Sequence, residues 1–328
     1  MDRRTFITTA AAGAATLKLA GLAWAQASKG MYITMRTQNG FWTPGLPPGT
    51  GNPPVLADWE GLARSAKRNG YAGVDLPFAP SMQAGAEKVR AVLSELKLKT
   101  GFMQGRVNPF GRGDAAAFEE AMKGWDEDCR YAAAIGCPRI MIVMRSSSDT
   151  PKDEWRKITL DRAKAMSPAM ERHGVKIGFE FFGPPIARKQ SKYEFIYKMP
   201  DAVEFAKEAG PNWGVCLDAW HWFLAGGTYQ DIIDAGKSRI VMVHVDDAKM
   251  QAPDEYQDNQ RLLPGEGIIP LDSFFKALQA IDYEGCVSPE PLGRFGANVA
   301  ADEAAQMTLQ TTVTAMKKAG ARIIPPES

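Results

Sequence analysis

Lys176-Ile177-Gly178-Phe179-Glu180, Gly214-Val215-Cys216-Leu217-Asp218, Ile240-Val241-Met242-Val243-His244-Val245 and Gly285-Cys286-Val287-Ser288-Pro289-Glu290 are four short runs rich in β-branched or apolar residues. Amphipathic segments of helical period separate them, so each run reads as a strand and each interval as a helix. Toward the N-terminus the pattern repeats at 31–35, 73–76, 100–103 and 139–144, which makes eight strands. Helix punctuation agrees. Asp58 caps a segment carrying Leu62, Ala63 and Ala66 that stops at Gly70. Asp114 caps one carrying Phe118, Met122, Trp125 and Cys129 that stops at Gly136, Asp272 opens 274–281, and 301–318 ends near Gly320. Strand and helix alternating eight times require a parallel sheet, and eight such units close into a single (β/α)8 barrel, the TIM barrel. An open doubly wound sheet is the competitor. Its phosphate loop has one match, Gly111-Arg112-Gly113-Asp114-Ala115-Ala116, but that match starts eight residues after Met103 and its acidic followers lie within the same helix.

Side chains alternate across a strand, so residue parity separates those that point at the barrel axis from those that point at the helices. Ile177 and Phe179 form one set and leave Gly178 and Glu180 on the other; Val215 and Leu217 leave Gly214, Cys216 and Asp218. Val241, Val243 and Val245 share a face opposite Met242 and His244, and the last run turns Cys286, Ser288 and Glu290 inward. Four consecutive strands thus end in Glu180, Asp218, His244 and Glu290. One glutamate at a strand end is most often a solvated rim residue, and one inward histidine is most often hydrogen-bonded core. Their coincidence at one parity, at the strand ends where barrels carry their sites, points to chemistry. Three carboxylates a few ångström apart repel one another, and a divalent cation removes the conflict. Three carboxylates and an imidazole suit Mn²⁺, Mg²⁺ or Co²⁺ and accept Zn²⁺.

Around that set, His221 follows Asp218 as D-x-x-H and reads as a substrate contact or a helix cap. Trp220, Trp222, Phe181 and Phe182 read as a platform for a sugar face or as packing at the barrel mouth. Lys249, Arg294 and Arg145, just beyond strand ends, can reach substrate oxygens or sit in solvent. His173, in Glu171-Arg172-His173-Gly174, is a cation at a helix C-terminus.

The chain has 328 residues, 45% hydrophobic and 23% charged, which is ordinary globular usage. Its net charge of +1 leaves no field to hold a polyanion, so nucleic acid is not an expected partner. Four cysteines with no C-x-x-C pair make no disulfide scaffold; a buried thiol is their expected state, with a Cys129–Cys137 pairing left open. Residues 1–27 read as an export leader: Arg3-Arg4-Thr5-Phe6-Ile7 resembles the twin-arginine signal, an Ala/Gly/Leu run follows, and Ala23-Trp24-Ala25 and Ala25-Gln26-Ala27 are cleavage sites. The domain is then 28–328. No later stretch is apolar enough to span a membrane, so the mature form is expected in the periplasm or secreted, with no membrane partner. The oligomer is not legible, a homo-oligomer included.

Gly174-Val175-Lys176-Ile177-Gly178-Phe179-Glu180, Cys216-Leu217-Asp218-Ala219-Trp220-His221, Val243-His244-Val245-Asp246-Asp247, Leu263-Pro264-Gly265-Glu266-Gly267 and Ser288-Pro289-Glu290-Pro291 resemble the xylose isomerase-like superfamily of sugar isomerases and epimerases. The resemblance spans nearly the whole mature chain. In the ketose epimerases of that group a Glu, an Asp, a His and a second Glu hold one metal, and the two glutamates exchange protons with the substrate. Matched motif by motif, the resemblance implies Glu180, Asp218, His244 and Glu290 as ligands, Glu180 and Glu290 as catalytic residues, and His221 as a substrate contact. It also implies a small carbohydrate substrate and proton abstraction next to a carbonyl through a metal-stabilised enediolate. A lyase or dehydratase acting on a keto-inositol or a 3-keto-glycoside is the alternative, and a non-catalytic sugar-binding barrel is the second. The nuclease branch needs a zinc cluster and many histidines, and this chain has three. Asp75 stands where many members carry Glu, Gln104 and Arg106 follow the third strand, and the long loops 38–56 and 181–198 are expected to build the substrate pocket.

Overall fold

The computed structural model describes residues 29–36, 58–111, 113–295 and 299–328; the leader and the loop 38–56 lie outside the described residues. Eight strands form a closed, all-parallel barrel: β1 Tyr32–Met35, β2 Gly73–Leu76, β3 Lys99–Gln104, β4 Arg139–Met144, β5 Lys176–Phe181, β6 Trp213–Asp218, β7 Ile240–Val245 and β8 Cys286–Pro289. Each pairs with its neighbour in sequence, and β8 closes on β1 through Tyr32 with Cys286 and Ile33 with Val287. The eight expected runs therefore agree with the barrel strands to within a residue or two at each end.

The interior and the helical layer separate by parity as expected. Ile177, Phe179, Val215, Leu217, Val243 and Val245 join the main core beneath the helices, whereas Tyr32, Phe102, Met141, Cys216, Met242 and Cys286 form a smaller apolar plug inside the barrel. Val241 departs from the expectation. Val215 pairs with Ile240 and Cys216 with Met242, so Val241 is an extra residue in β7, and this bulge turns it into the interior plug.

Helix starts follow their caps. The Asp58 carboxylate accepts from the Gly61 amide at 2.7 Å ahead of Trp59–Arg68, and Asp114 accepts from Ala117 at 2.9 Å. The segment expected to run unbroken from Asp114 to Gly136 is two helices, Ala115–Met122 and Trp125–Ala134. Buried Trp125, whose Nε1 donates to the Met166 carbonyl at 2.9 Å, anchors the second helix against Lys152–His173, while the first buries none of its residues. Asp272 lies in the first turn of Leu271–Ala280 rather than at its cap. His173 ends its helix as expected, 3.2 Å from Asp126. All four cysteines are free and buried, so Cys129 and Cys137 are not paired. Among the described residues no helix is long and apolar enough to cross a membrane.

Candidate active site

The C-terminal ends of β5 to β8 carry Glu180, Asp218, His244 and, one residue past β8, Glu290. All are at most 4% exposed, and one ligand atom from each falls within 4.8 Å of all the others. His244 Nδ1 is 2.7 Å from Glu180 Oε1, 2.9 Å from Glu290 Oε2 and 3.7 Å from Asp218 Oδ2. Asp218 also caps the helix Ala219–Leu224, its Oδ1 accepting from the amides of Trp220 at 2.8 Å and His221 at 3.1 Å. One oxygen is thereby oriented by backbone, and Oδ2 is turned toward the axis.

Two arginines complete the site, and parity reasoning passed over both. Arg36 directly follows β1; its Nη1 lies 3.0 Å from Glu290 Oε1 and 2.8 Å from His244 Nε2, and its guanidinium covers the Phe102 ring. Its signal was available, because Thr34 and Arg36 share the inward parity of β1. Arg261 has no such signal, since it lies far along the loop after β7. Asp247 folds that loop by accepting from the Ala248, Ile269 and Gly265 amides at 2.9, 2.8 and 3.0 Å. Reciprocal backbone bonds between Asp247 and Leu262, and one from Arg261 to the Leu292 carbonyl, bring the chain back over the mouth. Gly293 permits that return: its φ is +76° and a Cβ there would fall 1.8 Å from the Asn259 carbonyl oxygen. The Arg261 guanidinium, stacked over Trp220 at 4.9 Å, then puts Nη1 2.7 Å from Asp218, 2.5 Å from Asp246 and 3.3 Å from Glu290, with Nη2 2.7 Å from Asp258.

The electrostatics follow from burial opposed by these cations. Burial alone would raise Glu290, but Arg36, His244 and Arg261 overcome it and hold the carboxyl at about 2. Asp218 is held well below the usual carboxylate range in spite of burial, chiefly by Arg261. Burial and the Asp218 charge push Asp246 well up, against Arg261. Asp75, on β2, is lifted by burial to about 6 although Ser288 donates to it. Gly101 makes its room, since a Cβ at that position would sit 1.8 Å from Asp75 Oδ1. Burial also pushes the Cys216 thiol up to about 12.

The other candidate residues divide. His221 lies in the mouth, stacked on Phe182 at 4.5 Å, with the Gly183 amide 3.4 Å from Nδ1 and Arg261 3.3 Å from Nε2. Trp220 supports the Arg261 guanidinium, so its ring face is already engaged by a cation. Phe181 shares the face of Ile177 and Phe179 and belongs to the main core beneath the helices, which corrects its expected place as a sugar platform; Trp222, edge-on to Phe274 at 5.3 Å, does likewise. Arg294 is paired with Glu266 at 2.9 and 3.0 Å, and Lys249 and Arg145 are exposed. The loop 181–198 holds a short helix, Pro185–Arg188, and the strand Tyr193–Glu194, which pairs with Ser147–Ser148.

Residues 46–311 match the family description "xylose isomerase-like TIM barrel". The chain belongs to that family. Within this xylose isomerase-like barrel, 197 residues are 28% identical to the inosose isomerase of Bacillus subtilis (strain 168), covering 60% of this chain and 68% of the relative. Among solved structures, a xylose isomerase domain protein from Alicyclobacillus acidocaldarius superposes with a TM-score of 0.75 at 22% identity, over 89% of this chain and all of that one. The IolI protein with a bound zinc atom superposes at 0.70 with 20% identity, over 87% of this chain and 99% of its own. At these identities the two structures speak for the fold.

Proposed function

We propose that this barrel is an exported, divalent-cation-dependent sugar isomerase or epimerase. The observation that carries the reading is the buried convergence of Glu180, Asp218, His244 and Glu290 on one point. The donor set fits a hard or borderline cation: three buried carboxylates crowd one imidazole nitrogen, and no guanidinium among the described residues reaches Glu180. These four residues would hold the ion, which supplies Lewis-acid stabilisation of negative charge on a carbonyl oxygen.

The rest of the chemistry belongs to the chain. One of the two glutamate carboxylates takes the proton from the carbon next to the carbonyl, and the other returns one to the neighbouring carbon or to the opposite face. Asp218, fixed by two backbone amides, and His244 hold the constellation in register. Arg36 and Arg261, supported by Phe102 and Trp220, hold Glu290 and Asp218 ionised, and His221, stacked on Phe182, is the side chain that would meet a substrate oxygen. The relationship to an inosose isomerase supports a carbohydrate bearing a carbonyl beside a carbinol carbon. Export rests on residues 1–27, and the N-terminal mass of periplasmic protein tests it: an uncleaved chain retained in the cytoplasm would refute it.

The activity is tested by NMR of Mn²⁺-loaded protein with free ketoses, keto-inositols and 3-keto-glycosides in D₂O. Deuterium at the α-carbon with the skeleton retained is expected; loss of a leaving group would make the enzyme a lyase. Glu290→Gln is expected to abolish exchange while leaving sugar binding largely intact, and unchanged turnover would remove Glu290 from the reaction.

A further inference from the structure

Beneath the four strand-end residues lies a sulfur that the reaction does not use. Cys216 sits on β6 two residues before Asp218, on the same inward face, fully buried at the boundary between the interior plug and the carboxylates. Its Sγ is 3.8 Å from Glu180 Oε1, the same oxygen that lies 2.7 Å from His244 Nδ1. Glu180, Cys216 and His244 thus bring one oxygen, one sulfur and one nitrogen within 4.8 Å of one another.

We propose that Glu180, Cys216 and His244 form a second, softer cation site that captures thiophilic divalent ions such as Cd²⁺ and excludes the activating ion. The two sets share Glu180 and His244 and differ in the rest: the outer one adds two carboxylates, the inner one a sulfur. Hard ions favour the oxygen-rich set, and soft ions favour the thiolate. The shared glutamate is suited to serve both sets, because Arg36 and Arg261 contact Glu290 and Asp218 whereas no guanidinium among the described residues reaches Glu180. Coordination breaks the Cys216 S–H bond and forms a sulfur–metal bond, the proton leaves to solvent, and nothing is oxidised or reduced. Cys129, Cys137 and Cys286 belong to no comparable ligand group among the described residues.

This inference rests on the metal reading above only through the two shared ligands, and the test separates them. Metal-free full-length protein is titrated with Cd²⁺ while the ultraviolet thiolate-to-cadmium charge-transfer absorption is followed, and separately with Mn²⁺ by calorimetry. One charge-transfer band per protein is expected in the wild type, absent in Cys216→Ser and Cys216→Ala, with Cd²⁺ affinity falling at least about 10-fold and Mn²⁺ affinity changing less than about 2-fold. Excess Mn²⁺ should suppress the band. Mn²⁺ binding with no band, or a band that persists in both variants at unchanged melting temperature, overturns the thiol site and leaves the outer set standing. A Cys216-dependent band without Mn²⁺ binding supports the thiol site and overturns the metal reading of the proposed function.

Discussion

At the N-terminal end of the barrel the Arg139 guanidinium donates to the Tyr32 hydroxyl at 3.1 Å and to the Gly101 carbonyl at 3.3 Å, and Tyr32 donates in turn to the Thr100 carbonyl at 2.7 Å. At the C-terminal end Arg36 and Arg261 face Glu290, Asp218 and Asp246, with Glu180 beside them. Both ends bring guanidinium groups into the barrel, half-buried at Arg139 and buried at Arg36 and Arg261, and the difference lies in their acceptors. Arg139 meets neutral oxygens and ties three strands together, which is a structural plug. At the mouth Arg36, Arg261 and the His244 imidazole meet the carboxylates of Glu180, Asp218 and Glu290, and removing one partner of such a buried set leaves a charge uncompensated. An arginine inside the barrel is therefore no mark of function by itself; the ionised acceptors around it are.

The largest test of that contrast is chemical. Glu180→Gln keeps the shape of the mouth and removes one charge, and α-carbon deuterium exchange is expected to fall by about 10²- to 10⁴-fold, read by NMR against an unchanged far-ultraviolet circular dichroism spectrum. Next comes stability. Arg261→Met strands buried carboxylates and is expected to cost about 3–5 kcal/mol in urea unfolding without added ions, most of it regained when Mn²⁺ is supplied. Arg139→Met loses hydrogen bonds of a charged donor, about 1.5–3 kcal/mol, and Mn²⁺ should regain none of that. Equal recovery in the two variants would erase the distinction between plug and site.

A subtler effect sits between the two ends. Asp75, lifted to about 6, holds its proton more tightly in the folded chain than in the unfolded one. Its contribution to stability is full below its ordinary value near 4 and is lost as the pH rises through 6. Asp75→Asn removes that loss, so the variant should exceed the wild type by at most about 3 kcal/mol at pH 8, the gap closing toward pH 4, as thermal melts across that range would record. Smallest of all, Lys249→Ala on the exposed rim should leave stability within about 0.5 kcal/mol and exchange within about 2-fold. A larger loss would bring the rim into the substrate site.

The strands, their closure and the four strand-end residues were legible because their signals are local: alternation repeats every two residues, and Glu180, Asp218, His244 and Glu290 each stand at the end of such a run. Alternation failed at Val241, where one extra residue in β7 changes faces, and helical period overran the break before Trp125, whose anchor lies on a different helix. Phe181 was read as a platform for a sugar face or as packing at the mouth, whereas its own parity already put it in the core beneath the helices. Arg36 carried an inward parity, yet a single arginine after a short strand has no partner in its own segment to give it meaning.

Arg261 marks the boundary most sharply. Its position depends on Asp247 gathering distant amides, on the paired backbone of Asp247 and Leu262, and on a glycine that lets Asn259 approach. By itself the sequence determined which residues face the axis, since a pleated strand leaves a side chain only two directions to point. That Arg261 meets those charges was decided by the tertiary structure alone, because a loop's path is set by hydrogen bonds between residues far apart in the chain, and no local period records them.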